Sequence, residues 1–365
     1  MPQMRYQEIN RLLGIRIFLI GITFSALIAG GQDHPLNLFT TKNGLSQNTV
    51  TAVFRDSNGI LWVGTQDGLN RFDGYEFSKF RHDSEDESTI SDQYITEIFE
   101  DKQGTLWIGT RNGLNTYLPS TQKFTRHYPD PSLRNQVQNA TARINSFSNG
   151  DLFIVMAGMP YRYSLSKREF TRLSEKYNQF DNYSIIGNQI WQAWSDTHVC
   201  RLEDKSIHQH HESSILATER FLQFVDDDSV IWSTRPEGDG GTRLVWFDVV
   251  SGTLNGNGIL VPAVIRGIAF DRSKQAWLST DKGVYRVGPD KVLRSWTIGG
   301  VDQASSVLCV FPDRDGLVWV GFANNGLGLY NPDSEAFNLF ETGIKNDPIF
   351  SAAEERSGNI VVAAQ

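Results

Sequence analysis

Val50 to Asp56 reads Val-Thr-Ala-Val-Phe-Arg-Asp, and Ile95 to Asp101 repeats the pattern as Ile-Thr-Glu-Ile-Phe-Glu-Asp. After a polar break, each stretch continues into a compact apolar run, Ile-Leu-Trp-Val-Gly-Thr at 60–65 or Thr-Leu-Trp-Ile-Gly-Thr at 105–110. Alternation of β-branched and aromatic residues with polar ones, in runs this short, predicts strands rather than helices. Second breaks, Gln-Asp-Gly at 66–68 and Arg-Asn-Gly at 111–113, lead into Leu-Asn-Arg-Phe and Leu-Asn-Thr-Tyr. Third breaks bring in Tyr-Glu-Phe-Ser-Lys-Phe at 75–80 and Lys-Phe-Thr-Arg-His-Tyr at 123–128. Four short strands in roughly 42 residues is the size of one β-propeller blade.

The unit recurs along the chain. With Trp62 as anchor, the equivalents are Trp107, Phe153, Trp191, Trp232, Trp277, Trp319 and Val361, at gaps of 45, 46, 38, 41, 45, 42 and 42 residues. An Asp stands six residues before the anchor at Asp56, Asp101, Asp226, Asp271 and Asp313, and a Gly three before it at Gly59, Gly104, Gly150, Gly316 and Gly358. Units three to five keep the period but lose most of the motif. The pattern therefore predicts an all-β chain of radial, four-stranded blades.

The repeated residues read as architecture. The carboxylates of Asp56 and Asp101 suit a tight hairpin, accepting backbone N–H groups, while Gly59 and Gly104 supply a positive φ at its exit. The Trp rings of Trp62, Trp107, Trp277 and Trp319 are expected buried between blades, where a large ring contributes most. Gly64, Thr65, Gly109 and Thr110 belong to the same motif. Copies this numerous argue against catalysis, because active sites do not recur blade after blade.

Charge and composition narrow the function. A net charge of −8 leaves no basic face for a phosphate backbone, so nucleic acid is not an expected partner. Cys200 and Cys309 lie among apolar residues and read as packing thiols, with a disulfide as the alternative. Residues 17–31, Ile-Phe-Leu-Ile-Gly-Ile-Thr-Phe-Ser-Ala-Leu-Ile-Ala-Gly-Gly, follow Arg5, Arg11 and Arg16. A basic flank, a short apolar run and small residues at its end fit a secretory signal cut after Gly31, with an uncleaved anchor as the alternative.

Chemistry-bearing clusters are few. The histidine-rich stretch 208–211 crowds three histidines into four residues without a framing carboxylate or cysteine, and the acidic run 83–87 lacks the alternating ligand spacing of a calcium loop. Both read as solvated loops. Neither a metal, a cofactor nor a catalytic residue is expected. Loops between the second and third strands share one face with the linkers between blades, and loops on a rigid scaffold carry binding. Asn48 and Gln93, near the inner strands, and Arg111 and Asn112, in the second unit's turn, are the candidate ligand contacts.

The stretch from Asn43 to Gly74, with its second copy up to Tyr117, resembles the two-component regulator propeller family, whose repeat reads Asp-x-x-Gly-x-Leu-Trp-[Ile/Val]-Gly-Thr-x-x-Gly-Leu. Asp56, Gly59, Leu61–Thr65, Gly68 and Leu69 carry it in the first copy. Asp101, Gly104, Leu106–Thr110, Gly113 and Leu114 carry it in the second. The resemblance implies the periplasmic sensor region of a membrane-bound signalling protein, anchored in the inner membrane, with a histidine kinase or diguanylate cyclase output. This chain itself is then not an enzyme. The expected partners are an extracellular ligand, with carbohydrate the candidate class, and a second copy of the full-length receptor. A secreted propeller enzyme is the competing reading. A lyase should gather His and Glu at the channel mouth, and a quinoprotein its stacking and calcium ligands, and the sequence displays neither set. The expected organisation is an export signal at 1–31, a seven-bladed propeller at 32–348, and the start of an eighth repeat, opening a second propeller, at 349–365. Leu36–Thr40 resembles an outer strand without its first three, so it should pair beside Gly326–Asn331 and close the ring.

Overall fold

Strand-forming alternation is realised almost everywhere that the computed structural model describes the chain. Those residues are 34–130, 140–173, 183–186, 188–193, 199–203, 206–207, 223–225, 230–296, 298–299, 305–331, 349–354 and 360–364. Among them the helical content is a single 3-10 turn, Thr41–Asn43, and no helix is long and apolar enough to cross a membrane. The chain divides into two units, residues 1–330 and 331–365.

Among the described residues, the first unit holds seven four-stranded antiparallel sheets. Blade 1 comprises Val50–Arg55, Leu61–Thr65, Gly68–Phe72 and Phe77–Phe80, and blade 2 comprises Ile95–Glu100, Leu106–Thr110, Gly113–Leu118 and Lys123–His127. The second strands of all seven blades hold the expected anchors in order: Trp62, Trp107, Phe153, Trp191, Trp232, Trp277 and Trp319. Neighbouring inner strands lie side by side, Val307–Pro312 against Val50–Arg55, that strand against Ile95–Glu100, and the latter against Thr141–Ser146. Blades 3 to 5, where the motif fades, begin at Thr141, Tyr183 and Gln223.

Blade 7 is built from both ends of the unit. Val307–Pro312, Val318–Phe322 and Leu327–Tyr330 supply three strands, and Asn37–Phe39 adds the fourth, with Asn37 opposite Leu329 and Phe39 opposite Leu327. The N-terminal segment thus pairs beside the strand that the sequence pointed to. Residues 337–340, the rival for that edge, lie outside the described residues.

Burial follows the repeat. Trp62, Trp107, Trp277 and Trp319 are each at most 5% exposed, which excludes them from any open pocket. In blade 1, Asp56 Oδ1 accepts from the N–H groups of Asn58 (3.0 Å) and Ile60 (2.9 Å), while Oδ2 accepts from Trp62 Nε1 at 2.9 Å. The same indole bond joins Asp101 to Trp107, Asp271 to Trp277 and Asp313 to Trp319. The turn carboxylate therefore does two tasks: it caps the hairpin, as expected, and it satisfies a buried indole that would otherwise lack a partner. Gly59, at φ +86°, makes the turn's exit.

Gly64 serves a different need. Its backbone is ordinary, but a Cβ there would sit 2.6 Å from Ile95 Cγ2, on the inner strand of the next blade. Blade 6 treats this position differently. Ser279 stands in the glycine's place, and its paired residue on the same blade's inner strand is Gly267, whose added Cβ would lie 2.9 Å from Ser279 Oγ. One residue of each such close contact must be small.

The inner strands also share a bulge. The register slips between Val50 and Ala52, Ile95 and Glu97, Thr141 and Arg143, Ile265 and Gly267, and Val307 and Cys309. In the second unit, Ile349–Glu354 and Ile360–Ala364 form a hairpin with the same slip, between Ile349 and Ser351. That hairpin has the local grammar of a blade's first two strands.

Candidate ligand-binding face

Antiparallel four-stranded blades put two kinds of connection at opposite ends. Turns between strands one and two, and three and four, lie at one end; turns between strands two and three, and the blade-to-blade linkers, lie at the other.

The first end is stitched between blades. Arg55 Nη1 meets Asp313 Oδ2 at 2.9 Å and also pairs with Asp315, and Arg314 Nη2 donates to the Asp56 carbonyl at 2.6 Å. Ser57 donates to Glu100 through its N–H (2.8 Å) and its hydroxyl (2.6 Å), and Lys102 Nζ donates to the Ser148 carbonyl at 3.0 Å. These bonds link blades 7 to 1, 1 to 2 and 2 to 3.

The other end carries the candidate contacts, and the fold treats them unequally. Asn48 is engaged twice: its Oδ1 accepts from Thr41 N–H at 2.9 Å and its carbonyl from Gly326 N–H at 2.9 Å. The Gln93 carbonyl plays the matching part toward Gly68 N–H at 2.7 Å, leaving its side chain exposed. Both residues therefore stand two positions ahead of the inner strands and tie each linker to the preceding blade's turn. Arg111 and Asn112 sit together in the blade 2 turn, which Thr110 closes by donating to Gly113 O at 3.1 Å and accepting from Asn112 N–H at 3.1 Å. The guanidinium of Arg111 lies flat on the Tyr94 ring, 3.6 Å from its centre.

Beside that turn is a cleft of about 660 Å³, lined among others by His82, Ser91, Asp92, Asn112, Arg126 and Tyr128. One wall is the 81–94 linker, strapped across the outer strand of blade 2. Arg126 holds the strap: Nε donates to Thr89 O at 2.9 Å and Nη2 reaches Thr89 Oγ1 and Asp86 O, both at 3.1 Å. Within the acidic run, Asp86 Oδ1 accepts from the N–H and hydroxyl of Ser88, and those bonds hold its carboxyl below the usual carboxylate range. The run is folded back on itself, its carbonyls turned toward an arginine.

Two buried polar sets went unnoticed in the sequence. Ser46 meets Thr65 Oγ1 at 2.8 Å and exchanges bonds with Asn70, its N–H donating to Oδ1 and its Oγ accepting from Nδ2, both at 2.8 Å. Ser91, Thr110 and Asn115 repeat the set. The signal was available, since the serine precedes its threonine by 19 residues and its asparagine by 24 in both copies. Cys309 is free, which removes the disulfide alternative, and burial pushes its thiol up to about 12. The histidines at 208–211 and the side chain of Cys200 lie outside the described residues.

Residues 44–67 and 89–112 match the family model described as two component regulator propeller. A stretch of 75 residues is 40% identical to the histidine kinase P4 of Formosa agariphila, covering 20% of this chain and 6% of that protein. The extracellular domain of a hybrid two component system from B. thetaiotaomicron superposes with a TM-score of 0.64 at 18% identity, over 90% of this chain and 46% of that one. Virginiamycin B lyase from Staphylococcus aureus superposes at 0.60 and 13% identity, over 81% of this chain and 99% of that one. At such identities the superpositions speak for the propeller fold alone, and the chain spans less than half the length of the first two relatives. Two stretches of the chain thus match the two-component regulator propeller repeat, and the described residues have the propeller fold.

Proposed function

We propose that this chain is the ligand-recognition propeller of an extracytoplasmic sensor, exported by its N-terminal segment and part of a longer, membrane-anchored signalling protein. It performs no catalysis itself, and its output lies in a histidine kinase or a diguanylate cyclase portion of the full-length protein. The hairpin at 349–364 is read as the opening of a second propeller, and the working receptor as a homodimer. Carbohydrate remains the candidate ligand class. The observation that carries the reading is what the loop-bearing end presents: linkers tied back to the preceding turns by their backbone, with exposed side chains such as Gln93 and Arg111 and a cleft of about 660 Å³ beside them. A rigid ring with one adaptable face suits recognition coupled to a distant output.

The test is a transcriptional reporter driven by the full-length protein and exposed to an extract containing its inducer. Exchanging Gln93, Arg111 and Asn112 together for alanine should abolish the response, with expression and melting temperature retained. Exchanging Lys102 and Asn149, at the other end, should leave it intact. Equal responses from the two variants would overturn the reading.

A further inference from the structure

The blade 2 turn differs from its counterpart in blade 1 in one respect that points to a ligand. In blade 1 the turn's charged residue, Asp67, is already paired with Arg81 Nη2 at 2.7 Å. In blade 2 the charged residue is Arg111. It is exposed and makes its contacts through its backbone N–H, to Tyr94 O at 3.1 Å, and through the flat face of its guanidinium, on the Tyr94 ring. Stacking engages the face of a guanidinium and leaves its five N–H donors, which lie in the plane, pointing outward. Five other arginines of the unit have donors occupied: Arg55 by Asp313, Arg126 by the linker carbonyls, Arg162 by Asp151, Arg243 by Glu237 and Arg294 by Asp290.

The turn is also held from its far side. The Tyr128 ring lies so close to Gly113 that an added Cβ would be 2.7 Å from Cε1. Tyrosines therefore brace the turn at both ends, Tyr94 beneath Arg111 and Tyr128 against Gly113. A pre-oriented fork loses less freedom on binding than a flexible cation does. From these observations we infer that Arg111, stacked on Tyr94, is the anion-recognition residue of the ligand-binding face, taking an oxyanion of the ligand in the plane of its guanidinium. The shared chemistry is that of a carboxylate, sulfate or phosphate group, each of which matches the fork.

This inference rests on the loop-bearing end being the recognition face. The experiment follows the Arg111 Nε–H signal in spectra of arginine-labelled protein during titration with citrate, sulfate and phosphate, against chloride at constant ionic strength. At least one oxyanion should shift that signal saturably, at a concentration roughly tenfold or more below that of chloride, as charge-assisted hydrogen bonds require. Arg111→Lys keeps the charge but loses the fork, and Tyr94→Leu keeps the fork but loses the platform; each should weaken binding several-fold, read from a second labelled signal, Arg126 Nε–H, or by calorimetry. An oxyanion affinity unchanged in Arg111→Gln, or no preference over chloride in the wild type, overturns the inference. If the reporter response still needs the loop-bearing end while no oxyanion binds, recognition stands and the anion assignment falls. If substitutions at that end leave the reporter untouched, recognition itself falls.

Discussion

At the scale of single residues, the Asp-to-Trp spacing of six is the most informative feature of the repeat. A six-residue interval across a hairpin brings the carboxylate under the indole of the strand that returns, and Asp56 thereby accepts three hydrogen bonds in a setting only 8% exposed. Asp56→Ala leaves two backbone N–H groups and a buried indole N–H without their acceptor, so unfolding in urea should show a loss of about 2–3 kcal/mol. Asp56→Asn separates the two tasks, because the amide oxygen can still cap the turn while its NH₂ faces another donor. It should fall between wild type and Asp56→Ala, and the intermediate position should vanish in a Trp62→Phe background. Asp56→Asn as stable as wild type would show that the indole bond contributes nothing. Sequence reasoning anticipated the cap but missed the indole, since a turn signature says nothing about what its second oxygen touches.

Titration belongs to the same scale. Burial pushes the Glu97 carboxyl up to about 7, against the opposing pull of Arg143. The folded protein then holds this proton more tightly than the unfolded chain does, so stability is fully present below about pH 4.5 and falls as the pH climbs through 7. The total is on the order of 3 kcal/mol. His127 slopes the other way: burial, then Arg168, draw its imidazole down to about 4, so its contribution holds above about 6.5 and is lost toward 4. Glu97→Gln cancels only the first slope. Relative to wild type it should be more stable at pH 8 and close to equal at pH 5, a difference in which the His127 effect drops out. A wild-type-minus-variant difference that does not move with pH rules this out.

At the scale of elements, what the sequence reveals depends on how often the same contact recurs. Every anchor from Trp62 to Trp319 lands on a second strand, and all but the half-buried Trp191 are buried there, because the same interblade gap imposes a ring at one period. Blade boundaries in units three to five were not legible, and their strands show why. Blade 3 has Phe153 in the anchor place, which needs no carboxylate because it has no indole N–H, so the Asp can be absent. Blade 6 exchanges Gly for Ser279 and compensates on the opposite strand at Gly267, a swap visible only once both strands are paired. Of the candidate contacts, Asn48 belongs to the scaffold through Thr41 and Gly326, and Gln93 shares that role through its carbonyl. Polar residue type marks a loop end, but the loop's own backbone competes for its side chains. Arg111 and Asn112 were placed correctly in one turn; the Tyr94 platform beneath Arg111 was invisible, because it comes from the linker preceding the blade.

For the whole molecule, stability turns on the seam between blades 7 and 1. Unlike the other interfaces, it joins the beginning of the unit to its end, so nothing covalent holds it locally. Several bonds bridge it: Asn37–Phe39 on the edge of Leu327–Tyr330, Thr49 Oγ1 donating to Ala323 O at 2.6 Å, and Arg55 on Asp313. Phe39 adds an aromatic cluster across it, with ring centres 5.4 Å from Phe72, 6.0 Å from Phe77 and 6.3 Å from Trp319. The further pair of Arg55 with the exposed Asp315 contributes little, about 0–1 kcal/mol. Burial of an aromatic ring and removal of an open sheet edge matter more. A chain beginning at Asn43 should therefore melt well below one beginning at Gln32, by more than Arg55→Ala lowers it, and should self-associate through the uncovered edge of Leu327–Tyr330. Light scattering after size-exclusion chromatography reads the second effect. Adding a peptide of residues 32–42 in trans should restore the monomer and part of the melting temperature, whereas a peptide carrying Leu38→Pro should not. If the shortened chain stays monomeric and melts with its longer counterpart, the N-terminal strand is an ornament on a ring already closed by side chains, and the seam does not govern stability.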